Sequence, residues 1–195
     1  MDPATVTDTR SDSRPATLFT WSAIALALAG TLGSLFLSLG LGLKACPLCF
    51  YQRSFVMAAL AILGLGWFVE RTRPGLICLL SLPMVWAGLG VAAFHEYLVL
   101  TNVLECPMAL FGIGTAPAQS LVLFAGLAIV ASLGAWFGRS ESQRQGPGAL
   151  IGAVILGAVM AIACVKSSPP IPAAPYDLAK QPLDTCRRPF SLPKN

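Results

Sequence analysis

Charged residues along this chain fall in small clusters that bracket long charge-free runs at 15–43, 54–69, 74–94, 106–138 and 145–165. A helix rises about 1.5 Å per residue, so about 20 mostly apolar residues cross the hydrocarbon core of a bilayer. One Arg or Lys at mid-bilayer costs about 2.5–3.5 kcal/mol on insertion scales, which explains why such runs are kept clear of charge. The pattern predicts five membrane helices, near 18–43, 49–69, 76–95, 118–137 and 149–164. The second run is only 16 residues long. Its helix is therefore expected to reach back through Arg53 and Gln52 to Cys49, with the Arg53 guanidinium snorkelling at the interface. The first run is longer than the apolar region of a signal peptide, and no convincing small-x-small cleavage site follows it. Lys44 just before Cys46 argues likewise against a lipoprotein site.

Composition agrees with the pattern. Charged residues make up 11% of the chain, against about 25% in soluble globular domains, while 55% is hydrophobic. Mean hydropathy is +0.71. These values exclude an ordinary soluble domain and a disordered chain. The net charge of +4 comes from 13 Lys and Arg scattered between apolar runs, not from a basic stripe, so no nucleic-acid partner is expected.

The predicted organisation is a disordered tail over 1–16, a four-span bundle over 17–138, a loop and fifth span over 139–165, and a tail over 166–195 on the side opposite the first. Seven of the 31 residues from 165 onward are Pro, so that tail reads as extended. Ala153, Gly157 and Ala161 in the fifth span put small residues at four-residue spacing, a pattern that lets membrane helices approach closely.

Five spans put the termini on opposite sides. With the N-terminus cytoplasmic, Arg10, Arg14, Arg71, Arg73, Arg139 and Arg144 lie inside, and Cys46, Cys49, Cys106 and Cys186 share the outer face. That space would be an oxidising one.

The chemistry concentrates in Cys46-Pro47-Leu48-Cys49-Phe50-Tyr51-Gln52-Arg53. Two cysteines separated by two residues can close a small disulfide ring. A helix N-terminus would stabilise the thiolate of Cys49, with Pro47 suited to the first turn and Arg53 one turn on along the same face. A structural disulfide or a zinc half-site would use the same spacing. Zinc needs further ligands, and His95 is the one histidine in the chain, so no metal is expected. Cys78 lies within an apolar run and reads as a small filler. Glu105 beside Cys106 is expected to raise that thiol's pKa.

The motif C-P-L-C-x-x-Q-R at the start of a second span, after a long first span, resembles the disulfide bond formation protein B (DsbB) family, over about residues 17–138. The resemblance implies an all-α membrane protein, a four-helix transmembrane bundle of DsbB type, here with a fifth transmembrane helix. It implies a protein-disulfide:quinone oxidoreductase of the bacterial inner membrane, which reoxidises a periplasmic thioredoxin-fold, DsbA-like thiol oxidase. Electrons would pass through two cysteine pairs to the membrane quinone pool, ubiquinone or menaquinone. By the same resemblance Cys46 and Cys49 form the pair beside the quinone, with Cys49 facing it and Arg53 contacting it. His95 corresponds to a family histidine near the outer end of span three and close to the quinone.

Family members carry a second cysteine pair that exchanges with the soluble partner, and Cys106 matches its first member. This chain departs from the family there, because the loop around 96–118 holds one cysteine. Cys186, in the tail, is the expected partner, and Cys164 at the outer end of span five is the rival. Two other readings use the same cysteines: a membrane thiol reductase of opposite electron flow, and a non-enzymatic membrane protein with structural or metal-binding cysteines. The first would need cysteines facing one another within the spans, where Cys78 alone lies deep.

Overall fold

The computed structural model describes residues 13–138, 147–170 and 183–189. Within them the chain forms five long helices, α1 (Ser13–Leu39), α2 (Pro47–Val69), α3 (Pro74–Leu100), α4 (Ala116–Phe137) and α5 (Pro147–Ser167). All five are long and apolar enough to cross a membrane. The protein is a multi-pass helical membrane bundle.

The observed helices differ from the predicted spans mostly at their ends. Proline occupies the first turn of α2, α3 and α4, and α5 opens on Pro147. Proline's missing N–H costs nothing there, so these helices begin a few residues before the apolar runs alone suggest. α1 begins at Ser13, inside the segment expected to be a tail, and residues 1–12 of that tail lie outside the described residues. The same helix ends at Leu39 rather than near 43, because Gly40 and Leu41 turn their amides back to Phe36 O and Gly42 takes a positive φ of 68°. α3 runs on to Leu100, carrying His95 and Glu96 inside its last turns.

α3 is the central helix, packing against α2, α4 and α5, while α1 closes the bundle against α4 and α2. Half of its most apolar stretch is buried, against 11% for α5. The outward residues of α5, among them Ile151, Ile155 and Val159, are exposed aliphatics, as a lipid-facing surface requires. α5 leans on α3 through Gly157, where an added Cβ would lie 2.8 Å from Pro83 O. A methyl on Gly75 would come 2.5 Å from the Gly138 Cα, so α3 and α4 touch backbone to backbone at the end of the bundle opposite the cysteine motif. Cys78 is fully buried near that end, in contact with the Thr20 hydroxyl at 3.2 Å.

Alternating helix directions bring the C-terminal ends of α1, α3 and α5 and the N-terminal ends of α2 and α4 together. The chemistry-bearing residues meet at this end.

Candidate functional site

Cys46 is the N-cap of α2: its sulfur accepts a hydrogen bond from the Cys49 backbone N–H at 3.2 Å. With Pro47 at the helix start, Cys49 falls one turn on, and the two sulfurs are 2.8 Å apart. The capping position thus gives the free helix amide to Cys46, not to Cys49 as the motif alone suggested. The hydrogen bond from the Cys49 thiol holds Cys46 well below the usual 9.0, to about 5, against the opposing effect of burial and with help from His95.

His95 is fully buried on α3, midway between two cysteine pairs. Its Nε2 is 3.9 Å from the Cys46 sulfur and 3.5 Å from the Cys106 sulfur. Nδ1 lies 3.1 Å from Gln52 Nε2. With that amide donating, Nδ1 accepts and Nε2 carries the proton that faces the sulfurs.

Cys106 and Cys186 are joined in a disulfide across 80 residues of sequence. Cys164 sits half-buried on α5 as a free thiol. The tail is fastened on both sides of Cys186. On one side Lys44 N–H donates to Asp184 O at 2.7 Å, and their side chains pair at 2.8 Å. Exposed as they are, these two groups keep their charges, Lys44 raised and Asp184 lowered chiefly by the hydrogen bond between them. On the other side Glu105 and Arg187 exchange both backbone hydrogen bonds, at 2.9 and 3.0 Å, and the Arg187 guanidinium meets the Glu105 carboxylate at 2.5 Å. Glu105 therefore spends its charge on Arg187, beyond what its position beside Cys106 suggested.

A cavity of about 220 Å³ opens beside Cys49, between α1, α2 and α4. Most of its wall is apolar, including Gly30, Leu37, Val56 and Leu123, and Cys49 and Cys186 both reach it. Its polar groups are Ser34, Ser38, Gln52, Arg53, Gln119 and Ser120, with Lys44 at the margin. The Arg53 guanidinium is held by α1: Nε donates to Ser34 Oγ at 2.8 Å, and Nη2 donates to Ser34 O at 3.0 Å and to Ser38 Oγ. Arg53 thus shares the cavity with Cys49 while its donors are aimed at α1. His95 is set back from the wall and is linked to the cavity through Gln52. Sequence reasoning left Gln52 without a role, although it stood in the motif one residue before Arg53. Ser34 and Ser38 gave no signal, since serines are common in membrane helices.

A second hollow of about 290 Å³ lies between α3, α5 and the tail, with Cys46 and Cys186 on its wall beside Phe94, Leu98 and Pro169.

The family model for disulfide bond formation protein DsbB matches residues 16–121, more than half of the chain. The chain belongs to the DsbB family. A relative from Chlamydia pneumoniae, described as a probable disulfide formation protein, is 36% identical over 80 residues. Those residues cover 41% of this chain and 54% of the relative, so the chain spans about half the length of that protein. No solved structure matches the chain. The match to the DsbB family ends in the first turns of α4, so α5 and the Cys186 tail lie beyond it.

The arrangement constrains how the reduced site responds to pH. A thiol held at about 5 is ionised at neutral pH, so Cys46 of the reduced protein is expected to react with iodoacetamide at a rate that stays flat from pH 8 to 6. The rate should fall only as pH drops through about 5. Stability follows the same sign: the folded-state pKa is depressed, so the reduced protein gains stability above the unfolded thiol's value near 9.0 and loses it as pH falls through about 5. Peptide-resolved alkylation rates check this, and a Cys46 rate that still climbs steeply between pH 7 and 9 contradicts it.

Proposed function

We propose that this protein is a membrane thiol oxidase that takes electrons from a periplasmic thioredoxin-fold, DsbA-like partner and delivers them to ubiquinone or menaquinone. The observation that carries the reading is the cavity beside Cys49: it is walled by apolar residues from three helices and supplied with a few hydrogen-bond donors. A flat ring with carbonyl oxygens suits such a lining, and Gln52, Gln119 and Arg53 are the groups that would hold it. When bound, a quinone accepts two electrons and two protons.

The thiol steps balance without a further reactant. The partner's two thiols exchange with Cys106–Cys186 through a mixed disulfide, leaving the partner oxidised and this pair as two thiols. That dithiol then reduces the Cys46–Cys49 disulfide in the same manner. In the last step Cys46 and Cys49 close their disulfide and release two electrons and two protons toward the cavity. His95 is positioned to move a proton, since Nε2 faces a sulfur of each pair and Nδ1 is anchored on Gln52. In this reading the cysteines and Arg53 face the periplasm of a bacterial inner membrane, with the N-terminus cytoplasmic and the tail outside.

The test is a coupled assay: purified protein, a reduced DsbA-like oxidase and ubiquinone-1 or a short-chain menaquinone, with partner thiols and quinone absorbance followed together. One quinone reduced per partner disulfide formed is the expected stoichiometry. Thiol oxidation that leaves the quinone untouched would defeat the reading. Arg53→Ala is expected to raise KM for quinone by about tenfold, the cost of one charge-assisted hydrogen bond, while changing KM for the partner little. An unmoved quinone KM would remove Arg53 from the cavity's binding groups.

A further inference from the structure

A zinc ion was set aside on sequence grounds because the Cys46, Cys49 pair had His95 alone as a recognisable further ligand. Folding changes the count by seating Cys186, from the far end of the chain, against the same motif. One ligand atom each from Cys46, Cys49, His95 and Cys186 lies within 4.8 Å of all the others. Three sulfurs and an imidazole nitrogen are a complete Cys3His set, which is characteristic of closed tetrahedral zinc sites. Zinc–sulfur bonds of about 2.3 Å and a zinc–nitrogen bond of about 2.0 Å place ligand atoms about 3.5–3.8 Å apart, so the widest separations need contract, and the 2.8 Å between the Cys46 and Cys49 sulfurs open, by about 1 Å at most.

Two further features fit a metal. Zinc-binding histidines are oriented by a hydrogen bond at the other ring nitrogen, and Gln52 already holds Nδ1 of His95 at 3.1 Å. A half-turn of that amide presents Oε1 to an Nδ1 proton and leaves the Nε2 lone pair free for the ion. The hollow between α3, α5 and the tail reaches both Cys46 and Cys186, which gives a cation an access path separate from the cavity beside Cys49.

We infer that the fully reduced protein binds one thiophilic divalent cation of the zinc class through Cys46, Cys49, Cys186 and His95, and that the cation holds it in the reduced form. In the oxidised protein the sulfur of Cys186 is committed to Cys106, so the site exists only after that disulfide has been reduced by a dithiol or a phosphine. No electrons move on binding. The sulfurs bind as thiolates, so each cysteine of the set that still carries its proton gives it to solvent as its metal bond forms. Four protein ligands leave no open position, so the ion blocks thiol exchange rather than assisting it. This inference stands on the cluster geometry and does not need the quinone reading.

The experiment uses the full chain in detergent, reduced with a phosphine, with Co2+ as an optically visible stand-in for Zn2+. The reduced protein is expected to take up one equivalent with a thiolate-to-cobalt charge-transfer band that Zn2+ abolishes, and the oxidised protein to show none. Cys186→Ser should weaken binding at least tenfold. In wild-type protein, Zn2+ should protect Cys46, Cys49 and Cys186 from alkylation, read by peptide mass spectrometry, and leave Cys164 reactive. A missing band, equal uptake by oxidised and reduced protein, or Cys186 alkylated at an unchanged rate would overturn the inference. The protection measurement needs no variant, so a folding defect in Cys186→Ser cannot obscure the answer.

Discussion

Replacing Cys186 by serine is expected to cut oxidation of the thiol partner by about a thousandfold or more while leaving helix insertion and ligand binding in the cavity intact. The size follows from the chemistry: a disulfide relay missing one sulfur cannot carry an electron pair, and residues that act as a unit lose nearly all function when one is removed. Cys186 is also set in place by three backbone hydrogen bonds and two side-chain ion pairs across Lys44–Asp184 and Glu105–Arg187, four residues that all lie outside the helices. Loss of its sulfur should therefore leave the bundle standing. Deleting residues 180–195 removes sulfur and clamp together and is expected to give the same kinetic loss. Partner oxidation at the full rate in either protein would show that Cys106 works alone or with Cys164. A Cys164→Ala variant then identifies which.

The same tail marks where sequence reading succeeds and where it stops. Five spans were legible because charge is excluded from hydrocarbon whatever the tertiary structure, and the opening of α2 at Pro47 was visible for an equally local reason, whereas Pro74 and Pro117 were not read as the openers of α3 and α4. The C-x-x-C motif could be placed at a helix start from Pro47 alone. Which of its cysteines takes the capping amide depended on a single residue of register, and Cys46 takes it. The seat of Cys186 was harder still. Sequence could argue that the tail had the reach to meet Cys106, but nothing local encodes a backbone pairing between Glu105 and Arg187. Arg53 shows the same limit: its place on α2 was readable, and its Ser34 and Ser38 partners came from how α1 packs beside it. His95 was read, by resemblance, as close to the quinone, and its seat between the sulfurs of both pairs, with Nδ1 on Gln52, was not legible from the sequence.

Cys49→Ser and Cys78→Ala separate redox chemistry from packing within one protein. Both side chains are small thiols in apolar surroundings, and neither substitution adds bulk. Cys49 lines the cavity and lies 2.8 Å from the Cys46 sulfur, so its loss removes both the group nearest the proposed electron acceptor and the partner with which Cys46 closes its ring. Quinone reduction by Cys49→Ser is expected to fall to the uncatalysed level, a loss of about a thousandfold or more. The variant should still oxidise about one equivalent of partner at Cys106–Cys186 and then stall with that pair reduced, and a single-turnover burst of partner oxidation would report that. Cys78 lies near the opposite end of the bundle, against Thr20 and beside Gly134, and is not disulfide-bonded. Removing its sulfur leaves a small cavity that costs about 1 kcal/mol of stability and should leave turnover within about twofold of wild type. Equal losses of quinone reduction in the two variants would mean that packing, not electron transfer, governs the assay, and the order of the relay would have to be redrawn.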